Sequence, residues 1–513
     1  MSHPLASTIA DESDRWREEL QHRGFHDDGV RLRGRLSWTH PALGPASARI
    51  EVQPGESFPF APPAVRVLDS GADVEFTFHI ERPEAPGIPA NLCLWDSDWP
   101  FERAPWRDVD QLLDKIRGWL ESTAAGWPGD ADCDLERYLV PQDLLLIYDE
   151  SELAAASGLY RTSGGGNEKV IRVGERRSAS GLARGRPSRR DRGLLWIDEL
   201  GAVSRPVRTW HDIRQLLGES AETVQRLIHS GVIRFLLLGY QRGGNSARLA
   251  LRVTGGVGGI DVQSCECADT SLLTRQLRAG PLAGDLAASR VAIVGLGAIG
   301  SFAADMLLRS GVRHLTLIDP ELMRPGNLVR HLAGDEAIGQ PKVIAVFKRL
   351  QATGLPTKSI VTRAARLHEL REAIGLVCDN DVVLDTTANA RATSLLAVAA
   401  ELAGPGVGHA VISACVQRAG NVLRVDRFPL RRGEAHLPTL ESDEEESVRE
   451  RGCGSPVSMT PPTAVVAAAE LAVRFVIDHA TRECALPASL ADVRRPQPQP
   501  PFNVEGRIVS EHG

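Results

Sequence analysis

The sequence predicts a multidomain α/β protein, and three observations support that prediction. The chain has 513 residues, which suggests about three domains of ordinary size. Near the N-terminus, an amphipathic helical pattern precedes alternating apolar and polar residues, which is typical of an antiparallel α+β domain. In the C-terminal half, the apolar run 291–294 leads into a glycine turn and a helix, which is typical of a mostly parallel sheet. We expect domains at residues 1–140, 141–270 and 271–513.

The N-terminal segment reads as a helix, an antiparallel meander, a strand entered through prolines, and a second helix. Residues 9–22 and 108–122 carry apolar side chains at helical spacing, whereas residues 30–38 and 48–52 alternate as strands do. The sequence FPFAPP at residues 58–63 excludes a helix there, because proline restricts the backbone and lacks a donor. A small α+β domain is therefore expected.

This order of elements resembles the ubiquitin-conjugating fold over residues 8–140. After the proline-rich strand come His79, Cys93 and a tryptophan–proline pair, in the order that the family has. The resemblance implies that Cys93 is a nucleophile that carries an acyl group as a thioester. Without such surrounding motifs, a free cysteine is more often a buried thiol of the hydrophobic core than a nucleophile. The family's His-Pro-Asn triplet reads His-Ile-Glu here, so the asparagine that supports an oxyanion is missing, and Asn91 is a nearby candidate for its role.

The segment 141–270 carries the least information about function. Apolar runs at residues 144–147 and 194–197 predict buried strands. Residues 163–192 are rich in Gly, Ser and Arg, which predicts a solvated loop. Aromatic residues do not interleave with its arginines, so nucleic-acid binding is not favoured. Because no glycine-rich turn of the nucleotide-binding kind occurs here, we expect a small α/β domain with a packing role.

A glycine turn begins the most informative stretch of the chain. Gly295, Gly297 and Gly300 follow the apolar run 291–294 and open a helix. Glycines let the backbone approach a phosphate, and the N-terminus of the helix favours an anion. Asp319 ends the next predicted strand about 20 residues later, where a carboxylate binds ribose hydroxyls. This pattern alone is shared by proteins that bind NAD, FAD and ATP.

Three polar residues beyond Asp319 favour ATP over a dinucleotide. Asn327, Arg330 and Lys342 supply an amide and two cations within a short distance along the chain. Arginine and lysine neutralise phosphate charge, and asparagine orients an oxygen atom. An NAD-dependent oxidoreductase is disfavoured, because it would have no use for these cations.

The stretch 291–342 resembles the ThiF/MoeB superfamily, the adenylating domain of ubiquitin-activating enzymes. The matching features are the GLGAIG turn, Asp319, the segment from Asn327 to Arg330, and the lysine of GQPK. The resemblance implies a Rossmann-like adenylation fold with ATP and Mg²⁺ as cofactors. It also implies a homodimer, which would place the ATP-contacting Arg275 in trans. It further suggests that residues 141–270 are a degenerate adenylation-like domain.

Two features complete the site that this resemblance implies. In the motif DTTAN, Ala388 stands where the family has its Mg²⁺-binding aspartate, and Asp385 is the substitute that we expect to bind the metal. The acidic residues 441–450 predict a crossover loop that leads into Cys453, which is flanked by glycines and lies near arginines. Cations lower the pKa of a thiol, and the resemblance implies a catalytic cysteine in this loop. A turn cysteine without function is the alternative.

Composition excludes several other classes of protein. The hydrophobic fraction is 42%, the charged fraction is 24% and the formal net charge is -7, so no excess of positive charge favours nucleic acid or a membrane surface. The N-terminus has no cationic, apolar signal, and no apolar run is long enough to span a bilayer. A cytoplasmic protein is therefore expected. The eight cysteines lack the paired spacing of a zinc site, so they are expected to be core thiols or nucleophiles.

Taken together, the chain is similar to bacterial fusions of a ubiquitin-conjugating-like domain with a ThiF-type activating domain, as in antiphage operons. The resemblance implies that the C-terminal carboxylate of a ubiquitin-like modifier, or of another protein, is adenylated with ATP, with Arg330 in a catalytic role. The acyl group would pass to Cys453, then to Cys93, and finally to a lysine of a target protein. Two alternatives stay open, namely a sulfur-carrier adenylyltransferase and a non-catalytic scaffold, as Ala388 suggests.

Overall fold

The computed structural model describes residues 4–70, 77–83, 88–95, 99–153, 157–164, 169–177, 193–404, 408–440 and 459–510. The chain falls into two compact units, Met1–Ser271 and Leu272–Gly513, here called unit 1 and unit 2. Among the described residues, no helix combines the length and the apolar character needed to cross a membrane.

The first half of unit 1 is a four-stranded antiparallel sheet with one helix before it and one helix after it in the chain. In chain order these elements are α1 (Pro4–His22), β1 (His26–Asp27), β2 (Leu32–His40), β3 (Gly44–Gln53), β4 (Ala64–Asp69) and α2 (Val109–Ala124). The strands pair as β1-β2-β3-β4. Helix α2 begins after Asp108, whose side chain accepts a hydrogen bond from the Gln111 N–H and caps the helix. The order of helix, meander and helix predicted from the apolar pattern is confirmed.

The second half of unit 1 is a closed seven-stranded barrel. Its elements are β5 (Val140–Tyr148), β6 (Gly158–Ser163), β7 (Val170–Arg177), β8 (Leu194–Ala202), α3 (Trp210–Leu217), α4 (Ala221–His229), β9 (Ile233–Arg242), β10 (Asn245–Gly256) and β11 (Gly259–Asp269). The strands close in the order β10-β11-β5-β7-β6-β8-β9.

The barrel differs from two expectations drawn from the sequence. A degenerate adenylation-like domain would have an open parallel sheet, whereas β9, β10 and β11 pair as consecutive antiparallel strands and the sheet closes on itself. The expected solvated loop at residues 163–192 also contains β7, since Ile171 and Val173 pack their apolar side chains into the hydrophobic cluster of the barrel strands. Residues 178–192 lie outside the described part of the chain.

Unit 2 is an eight-stranded sheet with helices on both faces. Its elements are α5 (Leu272–Leu277), α6 (Ala283–Leu286), β12 (Arg290–Val294), α7 (Ala298–Ser310), β13 (His314–Ile318), α8 (Lys342–Gln351), β14 (Ile360–Arg363), α9 (Leu370–Asp379), β15 (Val382–Asp385), α10 (Ala390–Ala403), β16 (Ala410–Gln417), β17 (Val422–Phe428), α11 (Pro462–Ala480), β18 (Ser489–Val493) and β19 (Gly506–Val509).

The strand order in unit 2 is β14-β13-β12-β15-β16-β17-β18-β19. The pairs from β14 to β16 are parallel, and those from β16 to β19 are antiparallel. Alternate residues of β12 enter two separate cores: Val291 and Ile293 pack with α7, α8 and α11, while Ala292 and Val294 pack with α9 and α10. The predicted mostly parallel, Rossmann-like sheet is confirmed.

Candidate functional site

The glycine turn of unit 2 lies between the end of β12 and the start of α7. Gly295 has a φ of 91°, a conformation that glycine adopts without steric cost. A Cβ atom on Gly295 would lie 2.9 Å from the Thr386 carbonyl carbon, and one on Gly300 would lie 2.0 Å from the Gly295 oxygen. A Cβ on Gly297 would meet nothing within 4 Å. Two glycines therefore allow close packing, and the third leaves open space.

Asp319 follows β13 and supports this turn. One carboxylate oxygen accepts a hydrogen bond from the Leu296 N–H at 2.7 Å, and the other accepts one from the Glu321 N–H at 2.8 Å. The residue is 5% exposed. The sequence predicted that Asp319 would face a ribose. Its carboxylate lies at the predicted edge of the sheet, where it also orders the loop that follows the turn.

A cavity of about 380 Å³ opens beside the turn, at the carboxyl ends of β12, β13 and β15. This edge of an open parallel sheet is where such folds bind ligands. Four of the predicted binding residues line the cavity, namely Gly295, Gly297, Asp319 and Lys342. Gly300 lies beneath the turn and sets its packing.

Lys342 is the buried cation of this cavity. It is the first residue of α8 and is 6% exposed. Its Nζ atom lies 2.6 Å from Oε2 of Glu321, and this hydrogen bond holds the pKa of Glu321 below its usual value. A buried ammonium group next to an exposed carboxylate can exchange that partner for a phosphate oxygen.

Three other predicted ATP contacts do not line the cavity. Asn327 accepts a hydrogen bond from the Arg324 N–H at 3.0 Å and so caps its own 3₁₀ turn. Arg330 donates to the Thr460 carbonyl oxygen at 3.4 Å. Arg275 donates to the Gly354 carbonyl oxygen. Their role as contacts to ATP stays a prediction.

Asp385 is a buried structural carboxylate with four donors around it. Its side chain accepts hydrogen bonds from the N–H and hydroxyl of Thr387, and from the hydroxyls of Thr393 and Ser413. It is 1% exposed. Because a carboxylate offers about four lone-pair sites, this arrangement does not fit a Mg²⁺ ligand. Ala388 offers no side-chain oxygen either.

His331 supports the same turn and was not singled out from the sequence. Its Nε2 atom donates to the Leu296 carbonyl oxygen at 2.8 Å, and its Nδ1 atom accepts from the Ala333 N–H at 3.0 Å. These two bonds require the neutral imidazole, and burial lowers the pKa of His331. It directly follows Arg330 in the sequence, but no spacing rule identifies it.

A second cavity, of about 540 Å³, contains Cys93 in unit 1. The cysteine is half-buried, and Arg137 donates to its Sγ atom at 3.4 Å. His79, Trp95 and Trp127 also line this cavity. Cys93 therefore lies in a concave site with a cation and an imidazole beside it, and not in the hydrophobic core.

The backbone of His79 is held in an uncommon conformation. Its φ is 55°, in the left-handed region that non-glycine residues seldom adopt. Its N–H donates to the Tyr138 hydroxyl at 3.0 Å, and its carbonyl oxygen accepts from the Trp119 indole at 2.8 Å and the Cys93 N–H at 2.9 Å. Two side chains and one backbone N–H thus determine the position of this residue.

The imidazole of His79 bonds a carboxylate and belongs to a residue that lines the cavity of Cys93. Nε2 lies 2.6 Å from Oδ2 of Asp130, and the ring centroid lies 4.2 Å from that of Trp127. Burial of the ring lowers the pKa of His79, but hydrogen bonds to Cys93 and Asp130 outweigh burial and raise that pKa above its usual value. Asp130 in turn forms an ion pair with Arg242 of β9.

Another predicted residue, Asn91, is not brought to Cys93. The Asn91 amide donates to Oε2 of Glu81 at 3.1 Å, and Asn91 does not line the cavity of Cys93. The expectation that Asn91 replaces the family's asparagine is therefore not supported by its position. Cys453 and the acidic loop 441–450 lie outside the described residues, so the role of Cys453 stays a prediction.

One family match falls within unit 2, and several relatives match part of the chain. The ThiF family matches residues 273–499. An uncharacterized protein, y4oA, of Sinorhizobium fredii is 35% identical over 146 residues, which are 25% of this chain and 25% of the relative. The molybdopterin-synthase adenylyltransferase of Escherichia coli K12 is 38% identical over 102 residues, which are 20% of this chain and 40% of the relative.

A third relative is the ATP-dependent ubiquitin transferase-like protein Cap2 of Escherichia coli TW11681. It is 36% identical over 95 residues, which are 18% of this chain and 16% of the relative. The chain thus spans less than half the length of each of these three relatives. The family match covers the glycine turn, Asp319, Lys342 and Asp385. The C-terminal half of the chain therefore contains a ThiF domain.

Proposed function

We propose that unit 2 adenylates the C-terminal carboxylate of a protein or peptide with ATP. The observation that carries the proposal is the cavity beside the glycine turn, with the buried Lys342 at its wall, inside the region that matches ThiF. One relative of the chain is named as a molybdopterin-synthase adenylyltransferase. A cavity at the carboxyl edge of a parallel sheet suits a nucleotide.

In the proposed reaction, the protein neutralises charge and positions the reactants more than it takes part in covalent chemistry. A carboxylate oxygen attacks the α-phosphorus of ATP, the bond to the β-phosphate oxygen breaks, and pyrophosphate leaves. Lys342 neutralises phosphate charge, and the N-terminus of α7 favours an anion beside Gly297. Arg330 and Arg275 are further candidates for phosphate contacts. Since Asp385 does not fit a Mg²⁺ ligand, no step is assigned to it.

We extend this proposal to conjugation. In the extended form, the Cys453 thiolate attacks the acyl-adenylate and expels AMP, Cys93 takes the acyl group by thioester exchange, and a lysine of a target protein accepts it. A ubiquitin-like modifier and a homodimer, with Arg275 acting in trans, belong to the same proposal, as does a role in antiphage defence. The position of Cys93 in a cavity beside His79 and Arg137 supports the extension, and so does the similarity to a ubiquitin transferase-like protein.

A sulfur-carrier adenylyltransferase is the second candidate. The similarity to a molybdopterin-synthase adenylyltransferase favours it, and it needs only unit 2. In that case Cys93 would have no role in the reaction. The fully occupied carboxylate of Asp385 favours a third candidate, a scaffold without ATP chemistry.

ATP binding distinguishes an adenylating enzyme from a scaffold. We expect Lys342→Gln to weaken ATP binding at least about tenfold, because a charge-assisted contact to phosphate contributes more than 1.4 kcal/mol. Isothermal titration calorimetry with ATP measures this change. The matched control is Lys348→Gln, since Lys348 lies on the same helix and bonds only the exposed Gln340 side chain among the described contacts. Equal affinity of wild type and both variants would remove the main support for the proposal.

Adduct formation distinguishes conjugation from sulfur-carrier activation. The full chain is incubated with ATP, Mg²⁺ and a candidate modifier, and adducts are separated with and without a reducing agent. A thiol-sensitive adduct that disappears in Cys93→Ala supports conjugation, and Cys378→Ala serves as the control because Cys378 is an exposed cysteine elsewhere. Adduct formation that survives both Cys93→Ala and Cys453→Ala contradicts the two-cysteine relay.

A further inference from the structure

We propose that His79 is the general base that accepts the proton of the attacking amine at Cys93, and that Asp130 positions it for this role. The inference rests on the proposed conjugating function and adds a catalytic residue to it. It also accounts for a site that lacks the oxyanion asparagine of the family it resembles.

The first argument is the arrangement of the ring. Asp130 binds Nε2 at 2.6 Å, and His79 lines the same cavity as Cys93, whose N–H donates to the His79 carbonyl oxygen at 2.9 Å. Asp130 is fixed in turn by Arg242 and by the Asp132 N–H, which donates to Oδ1 at 3.1 Å. A nucleophile next to an imidazole that a carboxylate orients is the arrangement used for nucleophilic catalysis.

The second argument is the backbone of His79, which is independent of the ring contacts. A positive φ at a non-glycine residue is unfavourable and persists only where the surroundings enforce it. Here Tyr138, Trp119 and the Cys93 N–H bond the two peptide groups of His79. The same interactions that strain this residue therefore fix the imidazole relative to the thiol, which a core histidine would not require.

Over one catalytic cycle of the proposed reaction, His79 releases one proton and takes up one proton. Before transfer, the thiol proton resides on His79, and the Cys93 thiolate attacks the incoming thioester, whose own sulfur leaves as a thiolate. Acylated Cys93 has no charge, so the imidazolium loses one of its anionic partners and releases a proton to solvent. The amine then attacks the acyl carbon, the C–S bond breaks, and the amine proton moves to the ring nitrogen that Asp130 does not hold. Cys93 leaves as a thiolate and the starting ion pair is restored.

Several other charged groups face this site and set its pH dependence. Asp132 Oδ2 lies 3.9 Å from His79 Nδ1, and Arg137 pairs with Asp134 at 2.9 Å while donating to Cys93. On α2, Asp114 and Lys115 line the cavity, and Asp114 pairs with Arg117. Tyr138 and Arg242 also belong to this group of residues, because Tyr138 bonds His79 and Arg242 pairs with Asp130. Arg137 is the cation placed to stabilise the thiolate.

Alkylation of Cys93 tests the ion pair without any modifier. The rate of iodoacetamide modification of Cys93, measured on its peptide by mass spectrometry, is followed from pH 5 to 10 in the full chain. In His79→Asn, whose new side chain tolerates a positive φ, we expect alkylation at neutral pH to fall about tenfold and its pH midpoint to rise. Asp130→Asn should shift the midpoint in the same direction by less. His211→Asn, an exposed residue of α3, should match wild type.

Aminolysis tests the base itself. Cys93 is acylated with the aryl thioester of acetylglycine, which bypasses ATP and the modifier, and release to free lysine is measured. We expect His79→Asn to slow release at least about 100-fold and to abolish the pH dependence near neutrality, while Asp130→Asn retains a shifted profile. Wild-type rates and profiles in both variants would overturn the inference. Slowed aminolysis in a chain that forms no modifier adduct would instead refute the proposed function and leave the base intact.

Discussion

At the scale of single residues, hydrogen-bonded titratable groups determine the shape of both sites. Leu296 is held at its N–H by Asp319 and at its carbonyl oxygen by His331, so two consecutive peptide units of the glycine turn are fixed. In unit 1, His79 is fixed by both its backbone and its ring. The imidazoles of His331 and His79 have shifted pKa values, and each therefore makes a property of its site depend on pH.

His331 makes the stability of unit 2 depend on pH. Its pKa is lowered in the folded protein, so below about pH 6.5 the unfolded chain binds more protons than the folded chain. Its contribution to the free energy of unfolding is thus present above that pH and is lost as the pH falls towards the lowered pKa. We expect His331→Asn to reduce the slope of unfolding free energy between about pH 7 and 5, measured by urea titration.

The control for this measurement is His314→Asn, an exposed histidine at the start of β13. It should keep the wild-type slope. His479, whose pKa burial also lowers, acts in the same direction, so the His331 variant should retain part of the slope. An unchanged slope in His331→Asn would contradict the assignment of a neutral, buried imidazole.

At the scale of elements, Asp385 links strands β15 and β16 of the sheet to helix α10. It ends β15, while its donors come from the loop that follows, from Thr393 of α10 and from Ser413 of β16. Asn389 caps α10 by accepting from the N–H groups of Arg391 and Ala392. The chain segment that approaches the nucleotide cavity is therefore positioned by a carboxylate and an amide that are both engaged in structural hydrogen bonds.

We expect Asp385→Ala to lower the free energy of unfolding by about 3 kcal/mol, because it leaves several buried donors without an acceptor. Urea unfolding measures the change. Asp379→Ala, at the exposed end of α9, should change stability by no more than about 0.5 kcal/mol. Unchanged stability of Asp385→Ala together with loss of Mg²⁺-dependent ATP binding would instead favour the metal-ligand role predicted from the sequence.

At the scale of the whole molecule, each unit contains its own core, and unit 1 is more continuous than the sequence suggested. One cluster of buried side chains includes Leu36 and Ile50 of the antiparallel sheet and Leu236 and Tyr240 of the barrel. The Tyr240 hydroxyl also accepts a hydrogen bond from the Leu135 N–H at 3.3 Å. A boundary at residues 140 and 141 would divide this cluster.

We therefore expect fragment 1–271 to unfold cooperatively on its own, and fragment 1–139 to lose cooperativity. The shorter fragment would expose apolar area that the barrel covers, at a cost of about 25 cal/mol per Å², and would leave Asp130 without Arg242. Circular dichroism and near-UV spectra during urea titration compare the two fragments. A shorter fragment that unfolds at the same urea midpoint as the longer one would restore the predicted boundary.

The sequence by itself determined many of the elements and the edge of the sheet beside the glycine turn, because these signals are local. Helical and alternating periods predicted many of the helices and strands of both units, although not β7. The glycine turn, Asp319 and Lys342 were predicted as one site, and they lie together because the carboxyl ends of neighbouring parallel strands meet at one edge of the sheet. Cys93 was identified by the order of motifs around it.

Only the tertiary structure decided which partner each polar side chain has. Asp385 was expected to bind a metal, but α10 and β16 bring hydroxyl groups to it. His79 meets an aspartate 51 positions away, and the barrel closes through pairings between strands distant in sequence. Such contacts depend on the order of the strands in a sheet and on the path of the chain between them. The periodicity of one segment gives no information about either.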